Sequence, residues 1–171
     1  MIKTAGIILI ILSSVFAGAR MIRSAKQQQT QLQDMIDAMH FIKHELLCRL
    51  TPLPDIFSML RASSDRETAS FFGICADLMG GTELCTAGYA FRTAFERMPA
   101  LRLPSDAKRA VLALGTTLGR FDREGSEQTI NAAIDHLSSA LAQLQKGSAD
   151  RIRSCAAVCL SAGFAIAVIL A

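Results

Sequence analysis

The sequence predicts an all-α protein, a membrane-anchored cytoplasmic helical bundle of about six helices between two short transmembrane helices. The chain of 171 residues is 51% hydrophobic and 19% charged, which is about one domain in length and too apolar for a disordered chain. Through its middle, apolar residues recur at steps of three and four, the spacing of one helix face, and no alternating run suggests a sheet. Residues 4–19 and 154–171 contain no charged residue.

The two uncharged blocks are the predicted membrane spans. Their 16 and 18 residues would form helices of about 24 and 27 Å. These lengths are close to the thickness of a bilayer core when Lys3 and Arg153 extend to the interfaces. The chain therefore divides into an N-terminal transmembrane helix over 1–19, a bundle over 20–153 and a C-terminal transmembrane helix over 154–171.

Basic residues indicate on which side of the membrane the bundle lies. Lys3 is the only basic residue outside the bundle, whereas the membrane-proximal ends of the bundle carry six basic residues: Arg20, Arg23, Lys26, Lys146, Arg151 and Arg153. By the positive-inside rule the bundle is cytoplasmic and both termini lie on the opposite side. The same basic residues favour contact with anionic membrane lipids.

Two other classes of protein are alternatives to this topology. Ala17-Gly18-Ala19 also fits a signal-peptide cleavage site, so an exported, membrane-tethered enzyme or chaperone is the alternative. The body of the bundle, residues 27–145, carries 11 basic and 14 acidic residues, and the chain has no Trp and a single Tyr. A nucleic-acid groove needs clustered basic residues with aromatic residues between them, so no nucleic-acid partner is predicted.

The first predicted helix continues from the N-terminal span to about Leu50. Gln is a good helix former, so the Gln27–Gln31 run does not interrupt the helix. The apolar positions that follow draw one stripe along a helix: Leu32, Met35, Met39, Ile42 and Leu46.

The Thr51–Asp55 turn ends the first predicted helix and starts the second. Thr51 is predicted to cap the new helix, Pro52 suits its first position, and Pro54 is tolerated in its first turn. Asp55 lies near the positive end of the helix dipole. The second helix then buries Ile56, Phe57 and Leu60.

Four further helices complete the predicted bundle. They run from about Glu67 to Met79, from about Thr86 to Met98, from a cap at Ser105 and Asp106 through Leu118, and from near Ser126 onward. The apolar stripe of the last helix mirrors that of the first in length and spacing. The simplest arrangement packs these two long helices side by side, with the shorter ones completing the bundle.

Catalytic motifs are missing from the sequence. It has neither a phosphate-binding Gly-rich loop nor a Gly-x-Ser-x-Gly nucleophile elbow, so we expect no enzyme activity and no cofactor. His40 and His44 share a helix face, but a metal site would need a third ligand such as His136, and surface histidines are the simpler interpretation. The five cysteines have no metal-site spacing and are interpreted as reduced.

Two segments are candidates for partner contact or packing. Gly115 and Gly119 lie one turn apart, and each costs about 1 kcal/mol relative to Ala inside a helix. They therefore indicate close approach by another backbone, unless Gly119 simply ends the helix. The Thr51–Asp55 turn likewise combines polar groups with fixed backbone geometry, and for both segments a purely structural role is the alternative. The candidate residues are Thr51, Pro52, Pro54, Asp55, Gly115, Gly119 and Asp122.

The order of these motifs resembles the stage III sporulation protein AB family of endospore-forming bacteria. The resemblance covers essentially the whole chain. It is carried by Thr51-Pro52-Leu53-Pro54, the segment from Thr86 to Phe95, and Leu114-Gly115-x-x-Leu118-Gly119-x-x-Asp122, in that order between two apolar ends. Tyr89 stands where many members are expected to have Trp, and Ser126 where Gln is expected.

The resemblance implies a membrane platform protein whose bundle is similar to one cytoplasmic domain of the F component of type II secretion systems. Such a protein is expected in the mother-cell membrane surrounding the forespore, within a secretion-like channel complex. Its expected partners are the ATPase stage III sporulation protein AA and other membrane components of that complex. Small residues four apart in the spans, such as Ser14 and Gly18, also permit a homo-oligomer.

Overall fold

The computed structural model describes residues 2–63, 66–81, 85–118 and 125–147, with side chains from Arg20 onward except at positions 21, 22 and 66. Within these ranges the chain forms six α-helices, one π-helical turn and no strand, so the all-α prediction is confirmed. The elements are α1 (Ile2–His44), the π turn (Glu45–Arg49), α2 (Leu53–Ser63), α3 (Arg66–Met79), α4 (Ala87–Arg97), α5 (Ser105–Thr117) and α6 (125–147).

Backbone contacts divide the chain into two compact units. One is Gln28–Ala142, and the other comprises Met1–Gln27 with Gln143–Ala171. Within the described part of the chain, no helix is both long enough and apolar enough to cross a membrane. The side chains of residues 2–19 and the whole of 154–171 lie outside that part. The two transmembrane helices therefore stay predictions.

Five phenylalanines form the centre of the unit Gln28–Ala142. α3 packs against both α2 and α4, and the rings of these three helices meet with centroid separations of 4.7 to 6.5 Å. Apolar residues at helical spacing in the sequence include Phe57, Phe71, Phe91 and Phe95, so the pattern predicts these four rings in the core, but it misses Phe72. Phe72 follows Phe71 directly, and both are fully buried because α3 has a neighbouring helix on two sides. The five are Phe57, Phe71, Phe72, Phe91 and Phe95.

The predicted apolar stripe of α1 is correct up to Ile42, and Leu32, Met35, Met39 and Ile42 are fully buried. The prediction that Leu46 continues the stripe is wrong: Leu46 is half-buried and Leu47 is buried instead. A π turn accommodates an extra residue per turn, which rotates the following side chains relative to an α-helix. No apolar spacing in the sequence marks such a turn in advance.

Predicted helix starts are correct for α4 and wrong for α2 and α5. Thr86 caps α4 by accepting a hydrogen bond from the Tyr89 N–H at 3.4 Å. Thr51 does not cap α2, which begins at Leu53, so Pro52 precedes the helix instead of occupying its first position. At α5 the cap position is held by Pro104, and Asp106 lies within the first turn, where it accepts a hydrogen bond from Arg109.

Two polar contacts tie α1 to distant parts of the chain. Gln31, which is buried, donates from Nε2 to the carbonyl of Ala100 at 3.2 Å and accepts at Oε1 from the N–H of Arg102 at 2.9 Å. This side chain satisfies two backbone groups of the connector between α4 and α5. Lys43 donates to Asn131 at 2.8 Å and pairs with Glu127 at 3.1 Å. The end of α1 thus lies beside the start of α6, consistent with the predicted pairing of the first and last helices.

Candidate docking pocket between the helix junction and the glycine contact

A buried carboxylate organises the junction between α1 and α2. Glu45 is only 3% exposed, and its Oε2 accepts a hydrogen bond from the Thr51 hydroxyl at 3.0 Å. Arg49 Nη1 lies 3.3 Å from Glu45 Oε1, and the Thr51 N–H donates to the Glu45 carbonyl at 3.1 Å. Since Thr51 makes both bonds, its observed role is to hold the junction closed. Sequence reasoning missed the part played by Glu45, because only the fold brings Thr51 back to it.

Leu50 is the most unusual residue of the junction. Its φ of 55° is the only positive value at a non-glycine residue in the described ranges, and a left-handed conformation costs roughly 1–2 kcal/mol for such a residue. Its side chain is nevertheless 74% exposed. Leu50 is three residues from Leu53, so covalent geometry keeps their Cα atoms within about 11 Å.

α4 and α5 approach each other closely at two glycines, Gly88 and Gly115. A Cβ placed on Gly88 would lie 3.2 Å from the Gly115 carbonyl oxygen, and one on Gly115 would lie 3.1 Å from Gly88 Cα. Gly115 therefore serves as a packing surface for another backbone. Its counterpart is Gly88 of α4, which sequence reasoning missed. α5 ends at Thr117, and both Gly119 and Asp122 lie outside the described residues.

A pocket of about 500 Å³ lies between the helix junction and this glycine contact, and we call it the junction pocket. It is bordered by the start of α2, the end of α3, the first turns of α4 and the end of α5. Its lining consists of Leu53, Met79, Cys85, Thr86, Ala87, Gly88, Tyr89, Arg92, Gly115, Thr116 and Leu118.

The junction pocket brings the two sequence-predicted segments together. Leu53 represents the Thr51–Asp55 turn, and Gly115 represents the second segment. Around Leu53, Pro52 and Asp55 are exposed while Thr51 and Pro54 are half-buried. None of these four side chains lines the pocket. They lie beside it because the turn that contains them also contains Leu53.

The rim of the junction pocket is aromatic and basic. Tyr89 is 60% exposed although the other large apolar and aromatic side chains of α4 are buried. Among the described lining residues Arg92 is the only charged one, and it makes no ion pair within the described ranges. α4 has no acidic residue in its first turn, so nothing there offsets the positive end of its helix dipole. The arrangement offers an apolar floor beside a positive charge.

Neither the histidines nor the cysteines form a chemical site in the described ranges. No group of three or more metal-ligating side chains converges there; His40 is exposed, and His44 Nδ1 lies 3.8 Å from Glu45 Oε1. Cys48, Cys75 and Cys85 form no disulfide with one another. Burial raises the pKa of the Cys75 thiol, and the neighbouring Cys85 adds to the shift. Cys75 therefore stays protonated and unreactive, while Cys48 is exposed.

Comparisons with known proteins agree on one family. The family model "Stage III sporulation protein AB" matches residues 3–171. A solved structure titled "Stage III sporulation protein AB" superposes with a TM-score of 0.65 at 18% identity, over 72% of this chain and 97% of the solved chain. At that identity the likeness shows the fold alone. No curated protein sequence matches this chain significantly.

Proposed function

The chain belongs to the stage III sporulation protein AB family, and we propose that it is a non-enzymatic platform component of a membrane-embedded, secretion-like channel complex in sporulation. In this proposal the bundle faces the cytoplasm of the mother cell from the membrane surrounding the forespore. It docks the ATPase stage III sporulation protein AA there. ATP-driven movement of the partner is received by the bundle and passed through the first and last helices to the predicted spans.

The junction pocket is the observation that supports docking most directly. It joins two segments that are distant in sequence, and it leaves Tyr89 exposed. The Cα atom of Leu50, which is exposed and strained, lies within about 11 Å of the Cα atom of Leu53 at the pocket border. Backbone strain and exposed apolar side chains both weaken an isolated domain, and both concentrate at sites of interaction. An exposed leucine on strained backbone beside a pocket is typical of a contact surface.

Filling the junction pocket is expected to weaken ATPase capture without unfolding the bundle. Thr116 is exposed on the pocket rim, and its side chain makes a local hydrogen bond to the Ala113 carbonyl. Thr116→Trp should weaken binding of the full chain in nanodiscs to the purified ATPase by about tenfold or more, because interface energy concentrates in pockets of this kind. Biolayer interferometry measures the Kd.

Ser58→Trp provides the matched control, since Ser58 is equally exposed on α2 but does not line the pocket. Circular dichroism should give both variants the helicity and Tm of the unsubstituted chain. No binding by the unsubstituted chain would reject the ATPase as partner. Equal binding by the Thr116 variant would place docking elsewhere on the bundle.

Cytoplasmic placement of the bundle is expected to protect Cys48 from a membrane-impermeant maleimide in intact, non-sporulating cells that carry the chain in their plasma membrane. The full chain would carry Cys85→Ser, Cys155→Ser and Cys159→Ser, leaving the exposed Cys48 as the reporter and the buried Cys75 as an internal control. Mass spectrometry should find Cys48 modified only after permeabilisation. Cys75 should react only after denaturation, because burial raises its pKa. Modification of Cys48 in intact cells would favour the exported alternative.

A further inference from the structure

We infer that the junction pocket binds a protein segment in which a bulky apolar side chain lies next to a carboxylate. The inference rests on the proposed function, since it specifies the chemistry by which a docking partner is recognised. It commits to a partner protein with an acidic, apolar surface segment as the occupant of the pocket.

The apolar half of this chemistry comes from the floor of the pocket. Its volume of about 500 Å³ falls within the roughly 300–1,000 Å³ of typical ligand pockets. Leu53, Met79 and Leu118 supply apolar surface, and two glycines contribute backbone without side chains. Because a Cβ on either glycine would press on the neighbouring helix, a larger residue at either position would push α4 and α5 apart and deform the floor. An aromatic or leucine side chain from a partner is the complementary shape.

The carboxylate in the partner segment is inferred from Arg92, which differs from other exposed arginines of the bundle. Exposed Arg61 pairs with Asp77 at 3.0 Å, and exposed Arg109 pairs with Asp106. Arg92 has no such partner in the described ranges, and it is the only charged side chain among the described residues that line the pocket. A carboxylate placed there gains a charge-assisted hydrogen bond, and no acidic side chain is present among the described lining residues.

Tyr89 makes this combination more specific. It precedes Arg92 by three residues on α4, so the two side chains share one helix face at the pocket rim. Tyr and Arg are the residue types most enriched among energetically dominant interface positions. A single arginine with one tyrosine is also too sparse for a nucleic-acid or lipid surface, which needs clustered positive charge. The pocket therefore fits a protein segment best.

The test uses the intrinsic fluorescence of the full chain in nanodiscs assembled from tryptophan- and tyrosine-free scaffold protein. Tyr89 is the single Tyr and the chain has no Trp, so the signal reports the pocket rim alone. The probes are acetyl-Asp-Phe-Glu-amide and its uncharged isostere acetyl-Asn-Phe-Gln-amide. The acidic peptide should change Tyr89 fluorescence saturably, and the isostere should bind about fivefold more weakly, the ratio expected for one exposed ion pair.

Arg92→Gln should remove the difference between the two peptides. Arg97→Gln should preserve it, since Arg97 is exposed in the last turn of the same helix but does not line the pocket. Equal binding of the two peptides by the unsubstituted chain would overturn the inference, as would a fluorescence that neither peptide changes. A dimer that forms on concentration and is lost in Arg92→Gln would also overturn it, by showing that a second copy fills the pocket.

The peptide titration contains no ATPase, so its failure and the failure of the proposed function are separate results. ATPase capture without peptide discrimination would keep the docking proposal and reject the acidic, apolar recognition. Peptide discrimination without ATPase capture would support the recognition chemistry and reject that ATPase as the partner.

Discussion

Phe71→Ala is expected to lower the free energy of unfolding by about 3–5 kcal/mol, the range for removing a buried ring without refilling its space. Phe71 is fully buried and contacts rings on two helices, with centroids 5.2 Å from Phe72, 5.7 Å from Phe91 and 4.7 Å from Phe95. Its loss would leave a cavity at the α3–α4 interface. Urea unfolding of the full chain in detergent, followed by circular dichroism, measures the effect.

Met59→Ala supplies the comparison for Phe71→Ala. Met59 is also a large apolar residue in a neighbouring helix, but 43% of it is exposed, so its removal should change the free energy of unfolding by no more than about 0.5 kcal/mol. A loss below about 1 kcal/mol for Phe71→Ala would contradict a core centred on the phenylalanine cluster. Such a result would mean that α1 and α6 supply most of the stability instead.

Helix periodicity predicts most of this fold because each helix buries one stripe of apolar residues. The exceptions arise where packing is set by more than one neighbour. Phe72 is buried because α3 contacts two helices, and Leu47 is buried because the π turn rotates it inward. Thr51 and Arg49 both bond to the buried Glu45. The bond from Thr51 joins the first residue of the π turn to a residue that follows the turn. A stripe counted along the sequence contains none of this information.

The sequence predicts the candidate site only in part, because some of its residues are recognisable from local chemistry and others only from the fold. Backbone-determining residues, the Thr51–Asp55 turn and Gly115, are recognisable from local chemistry, and each leads to one border of the junction pocket. Tyr89 and Arg92 are ordinary residues of an amphipathic helix until the fold places them beside a pocket. Gly88 is equally inconspicuous, because its importance depends on the backbone that approaches it. Sequence reasoning thus identifies the backbone segments that border the site, but it misses the exposed side chains at the pocket rim.

Gly115→Leu is expected to lower the free energy of unfolding by about 3 kcal/mol, at the upper end of the range for overpacked cores. Even the first added atom is too close, since a Cβ on Gly115 would lie 2.7 Å from Phe91 Cδ2 and 3.3 Å from the Ala87 carbonyl oxygen. Backbone atoms cannot rotate away as a flexible side chain can. α4 would have to move away from α5, which would also deform the junction pocket that both helices line.

Alanine substitutions separate this steric effect from helix propensity. Gly115→Ala and Gly73→Ala both gain about 1 kcal/mol of propensity inside a helix, but the Cβ at Gly73 would meet only the flexible side chain of Arg61, at 3.3 Å. Urea unfolding should find Gly73→Ala neutral or more stable and Gly115→Ala less stable by about 1–2 kcal/mol. Phe91→Leu should recover part of the loss in Gly115→Ala, with a coupling of about 1 kcal/mol in a double-mutant cycle. Equal stabilisation by the two alanines would refute the close glycine contact between α4 and α5.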